Sequence, residues 1–355
     1  MNIVIAPIHK SFFSGRIWMG LDIEKIEHYL NEISATYKVQ IIDFSILSND
    51  YSLIPLNAFL FYTASYNDNY QQYIKDVVFD ISFSRPDVIL LPNLDQLFSF
   101  ENKGYQELLK RRLNIENVKG SYIGDLEDYL HKQNDINFPI VLKTLKGAMS
   151  SGVQLIKNKK QLIDNDSVHK KMNFKEYLIY KRREWKKTKE TNLDFLNLLP
   201  NLNLSLVNFN IFFSKRNPFI IQDFIPDLEC DYKVLIFGNK YYVFKREVRK
   251  NDFRASGSGF FSWVKPPESV LEYAFNIQKK MKTPFLSLDI GIGKDKIVYL
   301  FEFQGIGFGP IGLTKSNSYF VKLEQKWHEI VEKSNLEKEY ANAINYYINN
   351  KNENH

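Results

Sequence analysis

With 355 residues the chain is long enough for two or three domain-sized units and a substantial core, and it carries 47 Lys and Arg against 41 Asp and Glu, a net charge of +6. His169 to Glu190 holds nine of those cations against three Glu, so the remainder is close to neutral, which argues against a surface built for specific nucleic-acid binding. The single cysteine, Cys230, excludes an internal disulfide, and no zinc-ligand spacing occurs. No run approaches the roughly 20 apolar residues of a membrane helix, and MNIVIAPIHK lacks the charged start of a signal peptide, so a reducing, cytoplasmic setting is expected.

Asn2 to Ala6 is a short apolar strand. Ile23, Ile26, Leu30 and Ile33 recur at helical spacing before a second strand over Lys38 to Phe44. Phe59 to Ala64 repeats the strand signal, Tyr70 to Phe83 reads as a helix, and Asp87 to Pro92 is an apolar run of the kind buried on both faces. This alternation predicts a small parallel α/β domain, yet no GxGxxG follows the first strand, and Gly15 and Gly20 read as ordinary loop glycines. Helices are expected over Glu101 to Leu113 and over Gly120 to Lys132, the latter capped by Asp125.

Phe138 to Lys143 alternates, so that Val141 and Lys143 share one strand face while Ile140 and Leu142 share the other. Lys146 to Gly152, KGAMSSG, then leads directly into a second strand at Val153 to Ile156. Its two glycines have P-loop spacing, but Val153 and Gln154 stand where that motif needs Lys and Ser or Thr. What remains is a small polar loop whose N–H groups can close over phosphates. From Ile156 to Phe219 the chain is polar and contains the basic segment, read as one helix with a solvated face.

The richest stretch runs from Phe219 to Gly259. Ile220 to Ile225 and Tyr232 to Phe237 are strand-like, and Gly238-Asn239 is a tight turn into Tyr241 to Arg246, where Arg246 and Lys245 point to opposite faces. Pro266 to Lys282 reads as an amphipathic helix. Phe285 to Ile290 and Ile297 to Gln304 form a strand pair in which Leu300, Glu302 and Gln304 share a face and Phe301 and Phe303 the opposite one. Ser287 and Asp289 turn away from Leu286 and Leu288. Two carboxylates and an amide oxygen on neighbouring strands suit a hard cation such as magnesium. From Ser316 onward the chain is expected to be helical, with Trp327, Ile330 and Val331 in its apolar stripe.

In this order the motifs FPIVLK, KGAMSSGV, IIQDFI, DYKVLIFGNK, NDFRASGSG, LSLDI and LFEFQ resemble the ATP-grasp superfamily over about residues 1–315. The likeness is to ribosomal-protein glutamate ligases, D-alanine:D-alanine ligases and glutathione synthetase type enzymes. The resemblance implies a mixed α/β and α+β architecture, an ATP-grasp fold behind a parallel, Rossmann-like pre-ATP-grasp domain. Residues 1–115 would form that domain, 116–220 a lid subdomain with a basic insertion at 169–190, 221–315 the core with its metal strands, and 316–355 a C-terminal helix.

By the same resemblance Lys143 contacts ATP phosphate, and Lys146, Ser150, Ser151 and Gly152 belong to the phosphate loop. The backbones of Asp223 and Ile225 hold adenine with Gln222 nearby, and Asp231 binds ribose. Arg246 and Arg254 face phosphate or the substrate carboxylate, and Asp289, Glu302 and Gln304 hold Mg²⁺. The chain departs from the pattern at Gln304, where Asn is usual, at Asp223, where Glu is usual, and at Lys233, where Arg is usual.

The activity implied is ATP-dependent joining of a carboxylate to an amine through an acyl phosphate, with a small-molecule or acidic carboxylate substrate, an amine co-substrate and a homodimer among the expected assemblies. The basic segment would recruit an acidic acceptor. A kinase on the same fold and a nucleotide-binding scaffold without turnover are the rival readings, the last resting on Gln304. No Ser/His/Asp or Cys/His set points to a protein nucleophile.

Overall fold

The computed structural model describes residues 1–8, 12–13, 20–115, 118–126, 129–130, 136–147, 152–168, 175, 178–182, 186, 217–228, 230–247 and 261–352. Ser150, Ser151, Arg254 and most of the basic segment lie outside them. Two compact units emerge: Met1–Gly120, Lys146–Ser151 and Ile225–His355 form one, and Ser121–Leu145 with Gly152–Phe224 the other.

The first unit opens with four parallel strands, β1 (Asn2–Ala6), β2 (Lys38–Ile41), β3 (Phe59–Tyr62) and β4 (Ile89–Leu91), in the order β2-β1-β3-β4. Between and after them run α1 (Ile23–Ile33), α2 (Phe44–Leu47), α3 (Asp68–Ser84), α4 (Leu94–Ser99) and α5 (Lys103–Arg112). Each begins on an Asp or Asn whose side chain accepts from an early backbone N–H of its helix: Asp22, Asp43, Asn67, Asn93 and Asn102. The expected second strand stops at Ile41 because Asp43 caps α2 instead of continuing the ladder. The sheet buries Val4, Leu60 and Tyr62 on one side and Ile3, Ile5 and Phe61 on the other, the two-sided burial that parallel sheets require.

In the second unit β5 (Gly120–Ile123), β6 (Ile140–Thr144), β7 (Val153–Ile156) and β8 (Phe219–Asp223) form a sheet in the order β5-β8-β6-β7, with α6 (Lys159–Ile163) beside β7. The helix expected from Gly120 is corrected here: its first four residues pair into the sheet, and helical turns start only after Gly124. Ile140, Leu142, Ile156, Phe219 and Ile221 make the core of this unit. Gly152 is set at φ +76, and a Cβ there would collide with Thr144 Oγ1. Gly152→Ala should therefore cost about 1–3 kcal/mol of local stability. Hydrogen exchange should accelerate across 140–156 and stay unchanged across 285–304; equal protection of both segments would refute the steric argument.

The rest of the first unit is built on β9 (Cys230–Phe237), β10 (Lys240–Glu247), β11 (Phe261–Ser262), β12 (Phe285–Ile292), β13 (Val298–Gln304), β14 (Ser318–Leu323) and β15 (Lys326–Val331). They run in the order β13-β12-β9-β10-β14-β15, with β11 added beside β10. Helices α7 (Glu268–Met281), α8 (Ile311–Thr314) and α9 (Leu336–Asn352) complete it.

The helix expected from Ser316 is corrected to a hairpin followed by α9. Glu324 and Gln325 take positive φ at a two-residue turn, and the flanking residues alternate with period two. Trp327 and Ile330 imitate helical spacing, yet Trp327 packs into the core under α7 and Ile330 into the core under α9, on opposite faces of the sheet. Among the described residues no helix is long and apolar enough to cross a membrane.

Candidate functional site

The large sheet has two unlike faces. One is mainly apolar, where Val234, Ile236, Leu286, Leu288, Leu300 and Phe303 bury against Val270, Ala274 and Ile277 of α7. On the other, Leu235, Phe237, Tyr242 and Phe285 pack with α9, Tyr340 stacking on Phe285 at 4.1 Å, while the far half of that face turns polar.

The register lays this polar half out in rows. Phe244, Lys233, Asp289 and Glu302 are successive cross-strand neighbours over four strands. Arg246, Asp231 and Gly291 form the row on one side, and Tyr242, Leu235, Ser287 and Gln304 the row on the other. The structure thus brings together five sequence-predicted residues, Asp231, Arg246, Asp289, Glu302 and Gln304.

One detail differs. β13 carries a bulge at Phe301, so Leu300 pairs with Ile290 and lies with Phe303 on the apolar face, opposite to the strict alternation expected. A bulge leaves one residue unpaired and swings those beyond it to the other face, here immediately next to Glu302.

Four charges interlock in the middle of the site. Lys233 Nζ donates to Asp289 Oδ1 at 2.7 Å, and Arg246 Nη2 lies 2.9 Å from Asp289 Oδ2. Arg246 also grips Asp231 with two hydrogen bonds, Nε to Oδ1 at 2.5 Å and Nη2 to Oδ2 at 2.8 Å. Burial opposes the charged form of both acids, with different outcomes. For Asp289, the Arg246 and Lys233 cations outweigh burial and hold the carboxyl below its ordinary value. For Asp231, burial prevails over the attraction of Arg246, with the Asp289 charge adding to it, and the carboxyl rises to about 6. Burial likewise disfavours the Arg246 cation, but Asp289 and Asp231 more than restore it.

Glu302 is the more open acid, its side chain 29% exposed against 12% for Asp289. Beside it stands a residue that sequence reasoning passed over. Lys103, in the first turn of α5 and 8% exposed, donates to the Gly147 carbonyl at 2.7 Å and lies 3.9 Å from Glu302 Oε1. The signal was available, because a helix starting at the Asn102 cap puts Lys103, Glu107 and Lys110 on one stripe. That stripe is buried, where an amphipathic helix would carry apolar groups.

The donor set can take a hard cation. Each Asp289 oxygen accepts from one cation and so keeps lone-pair capacity, Glu302 faces it across the ladder, and Gln304 offers an amide oxygen. The Ser287 hydroxyl, fully buried in the Gln304 row, has no hydrogen-bond partner among the described residues. Among the described residues no three His, Cys, Asp or Glu gather around one point, so a metal here would rest on two acids and an amide, completed by phosphate and water oxygens.

In the second unit Lys143 (8% exposed) and Gln222 (2%) are buried on the β6–β8 face opposite its core, and Asp223 at the end of β8 is exposed. Ile225 follows at the start of the next segment of the first unit. Lys146 is ion-paired with Asp68 at the surface.

No protein-family model and no curated protein sequence matches the chain. Among solved structures, D-cycloserine synthetase DcsG is 10% identical with a TM-score of 0.51, over 97% of this chain and 98% of that one. The macrocyclase MdnC from Microcystis aeruginosa MRC, solved with its precursor peptide MdnA, is 9% identical with a TM-score of 0.50, over 96% and 98%. D-alanine–D-alanine ligase from Bacillus anthracis is 17% identical with a TM-score of 0.48, over the whole of both chains. The chain shares its fold with DcsG and MdnC, in keeping with the ATP-grasp resemblance of its motifs. At these identities the ATP-grasp likeness is one of architecture, and the chemistry has to be argued from the residues on the polar half of the sheet.

Proposed function

We propose that this ATP-grasp chain is an ATP-dependent carboxylate–amine ligase that works through an acyl phosphate, joining an amino acid or other amine to a small molecule, peptide or glycan. The observation that carries the reading is the row Lys233–Asp289–Glu302, with Lys103, bonded to the Gly147 carbonyl, 3.9 Å from Glu302. It sets fixed charges of both signs on one sheet face and includes no activated nucleophile.

In the first step an oxygen of the substrate carboxylate attacks the γ-phosphorus of ATP, and ADP departs with the bond pair. The amine nitrogen then attacks the acyl carbon, inorganic phosphate leaves, and the amine gives up a proton. Lys103 and Lys143 are the cations proposed to neutralise phosphate charge as it develops, and Gln222, Asp223 and Ile225 to hold the base. Asp231 would reach a ribose only by exchanging part of its grip on Arg246, so we assign Arg246 first to holding the two acids in place. Asp289, Glu302 and Gln304 would hold Mg²⁺, which would supply positive charge against that of the phosphates. A non-catalytic scaffold draws support from Asp289, whose two oxygens are already engaged by Lys233 and Arg246.

Trapping with hydroxylamine tests the proposal. ADP and hydroxamate should accumulate together when ATP, Mg²⁺ and a carboxylate panel are supplied, and Lys143→Ala should abolish both. A phosphorylated alcohol without hydroxamate would assign a kinase, and no turnover with a broad panel would assign the scaffold.

A further inference from the structure

Gln304 closes β13 with a carboxamide, and a carboxamide is ambiguous toward a cation. One side is an acceptor oxygen and the other an NH₂ that only donates, so as a metal ligand it has to be held the right way round by a neighbouring acceptor. The methylene that sets Gln304 apart from the Asn usual at this place adds a torsion, which makes such an anchor more necessary.

Two buried polar side chains flank Gln304 without a hydrogen-bond partner among the described residues. Ser287 stands directly across the β12–β13 ladder and so shares its face; it is fully buried and its Oγ is unengaged. Gln96 comes from α4 and is 1% exposed, with both Nε2 and Oε1 unengaged. It is the third residue of that helix, a place from which Gln commonly turns back onto the cap. Here it is turned onto Gly305 instead. Its Cγ and Cδ lie 2.7 Å from where a Cβ at 305 would be, so the amide is seated against the residue that follows Gln304. Gly305 does not take a positive φ; what it supplies is room, and Gln96 fills that room.

A buried polar group without a partner weakens a fold, and Ala and Leu would fill these two spaces without that cost. Two of them at the end of one strand, beside the amide of the donor set, mark groups kept for use in the site.

We propose that Ser287 and Gln96 are positioning residues for Gln304. With the Gln304 oxygen on a divalent cation, its NH₂ donates one proton to Ser287 Oγ and the other to Gln96 Oε1, so that only the oxygen is presented. This rests on the reading of Gln304 as a metal ligand, and the experiment separates the two.

The probe is Mn²⁺, titrated with ADP present and followed by the paramagnetic signal of the free ion, and the denaturant midpoint of each variant is measured alongside. Ser287→Ala and Gln96→Leu should each weaken Mn²⁺ binding about tenfold. Their midpoints should stay level or rise, because each change removes unengaged polar atoms. In a Gln304→Glu background both effects on Mn²⁺ should largely vanish, since a carboxylate presents an oxygen whichever way it turns.

Weaker binding in Gln304→Ala with no loss in Ser287→Ala or Gln96→Leu would overturn the anchoring and leave Gln304 as a ligand. A loss confined to one of the two variants would overturn the role of the other residue. No Mn²⁺ binding beyond that of ADP itself, or binding unchanged in Gln304→Ala, would overturn the ligand reading and the anchoring with it. Equal losses in the wild-type and Gln304→Glu backgrounds, or losses that follow a lowered midpoint, would assign both residues to the framework and overturn the proposal.

Discussion

Arg246→Met should destabilise the folded chain by about 3–5 kcal/mol at pH 7, because the change leaves two buried carboxylates with Lys233 as their remaining cation among the described residues. The loss should shrink on acidification, and the sign follows from linkage. In the wild type Asp231 titrates near 6, above its ordinary value, so between about pH 4 and 6 the folded state binds more protons than the unfolded chain and stability falls as pH rises. Asp289, held below its ordinary value, contributes stability above that value which is lost only as pH drops through its lowered folded one. Removing Arg246 raises both carboxyls, so the variant's folded state takes up protons over a wider window and recovers part of its stability at pH 5. Denaturant midpoints of wild type and variant at pH 7 and 5 measure this directly. A penalty equal at both would mean that the guanidinium stabilises by packing alone.

That mesh shows how far the sequence could be read. The pairing of Asp231 with Arg246 follows from the two-residue turn at Gly238-Asn239, since a hairpin's register is set by its turn and opposite residues can be counted outward from it. The same counting places Phe244 opposite Lys233.

The contact of Lys233 with Asp289 is different, because β9 and β12 are 56 positions apart at that pair and their register is decided by the packing of Leu286 and Leu288 beneath α7. No local signal carries it. The Phe301 bulge was hidden for a related reason: alternation along one strand predicts faces only while its partner stays in step. The C-terminal hairpin was missed through period, as the pair Trp327 and Ile330 fits a helix as well as two faces of a strand. Lys103 was missed because a buried lysine on a short helix becomes informative only once its neighbours, Gly147 and Glu302, are known to be near it.

Glu302→Gln should lower turnover by about 10² or more while leaving nucleotide binding largely intact. The substitution preserves length and hydrogen-bonding capacity and removes one charge, at the most exposed acid of the row. Asp289 cannot compensate, since its charge is already answered by Lys233 and Arg246, so Glu302 is the carboxylate whose negative charge can be offered to a metal–nucleotide complex. Stability should change little, in contrast with Arg246→Met, because the 3.9 Å separation from Lys103 is long for an ion pair and the Lys103 bond to Gly147 survives it. The two variants therefore separate roles that the fold places three strands apart on one sheet face, Arg246 in holding the charged rows and Glu302 in using them. Measured together, ADP release, nucleotide affinity and the denaturant midpoint decide the matter. If Glu302→Gln turns over normally while Lys143→Ala is inactive, the nucleotide site stands and the metal must be held elsewhere. If Glu302→Gln instead loses stability without a separate loss of turnover, Glu302 belongs to the framework that anchors Lys103.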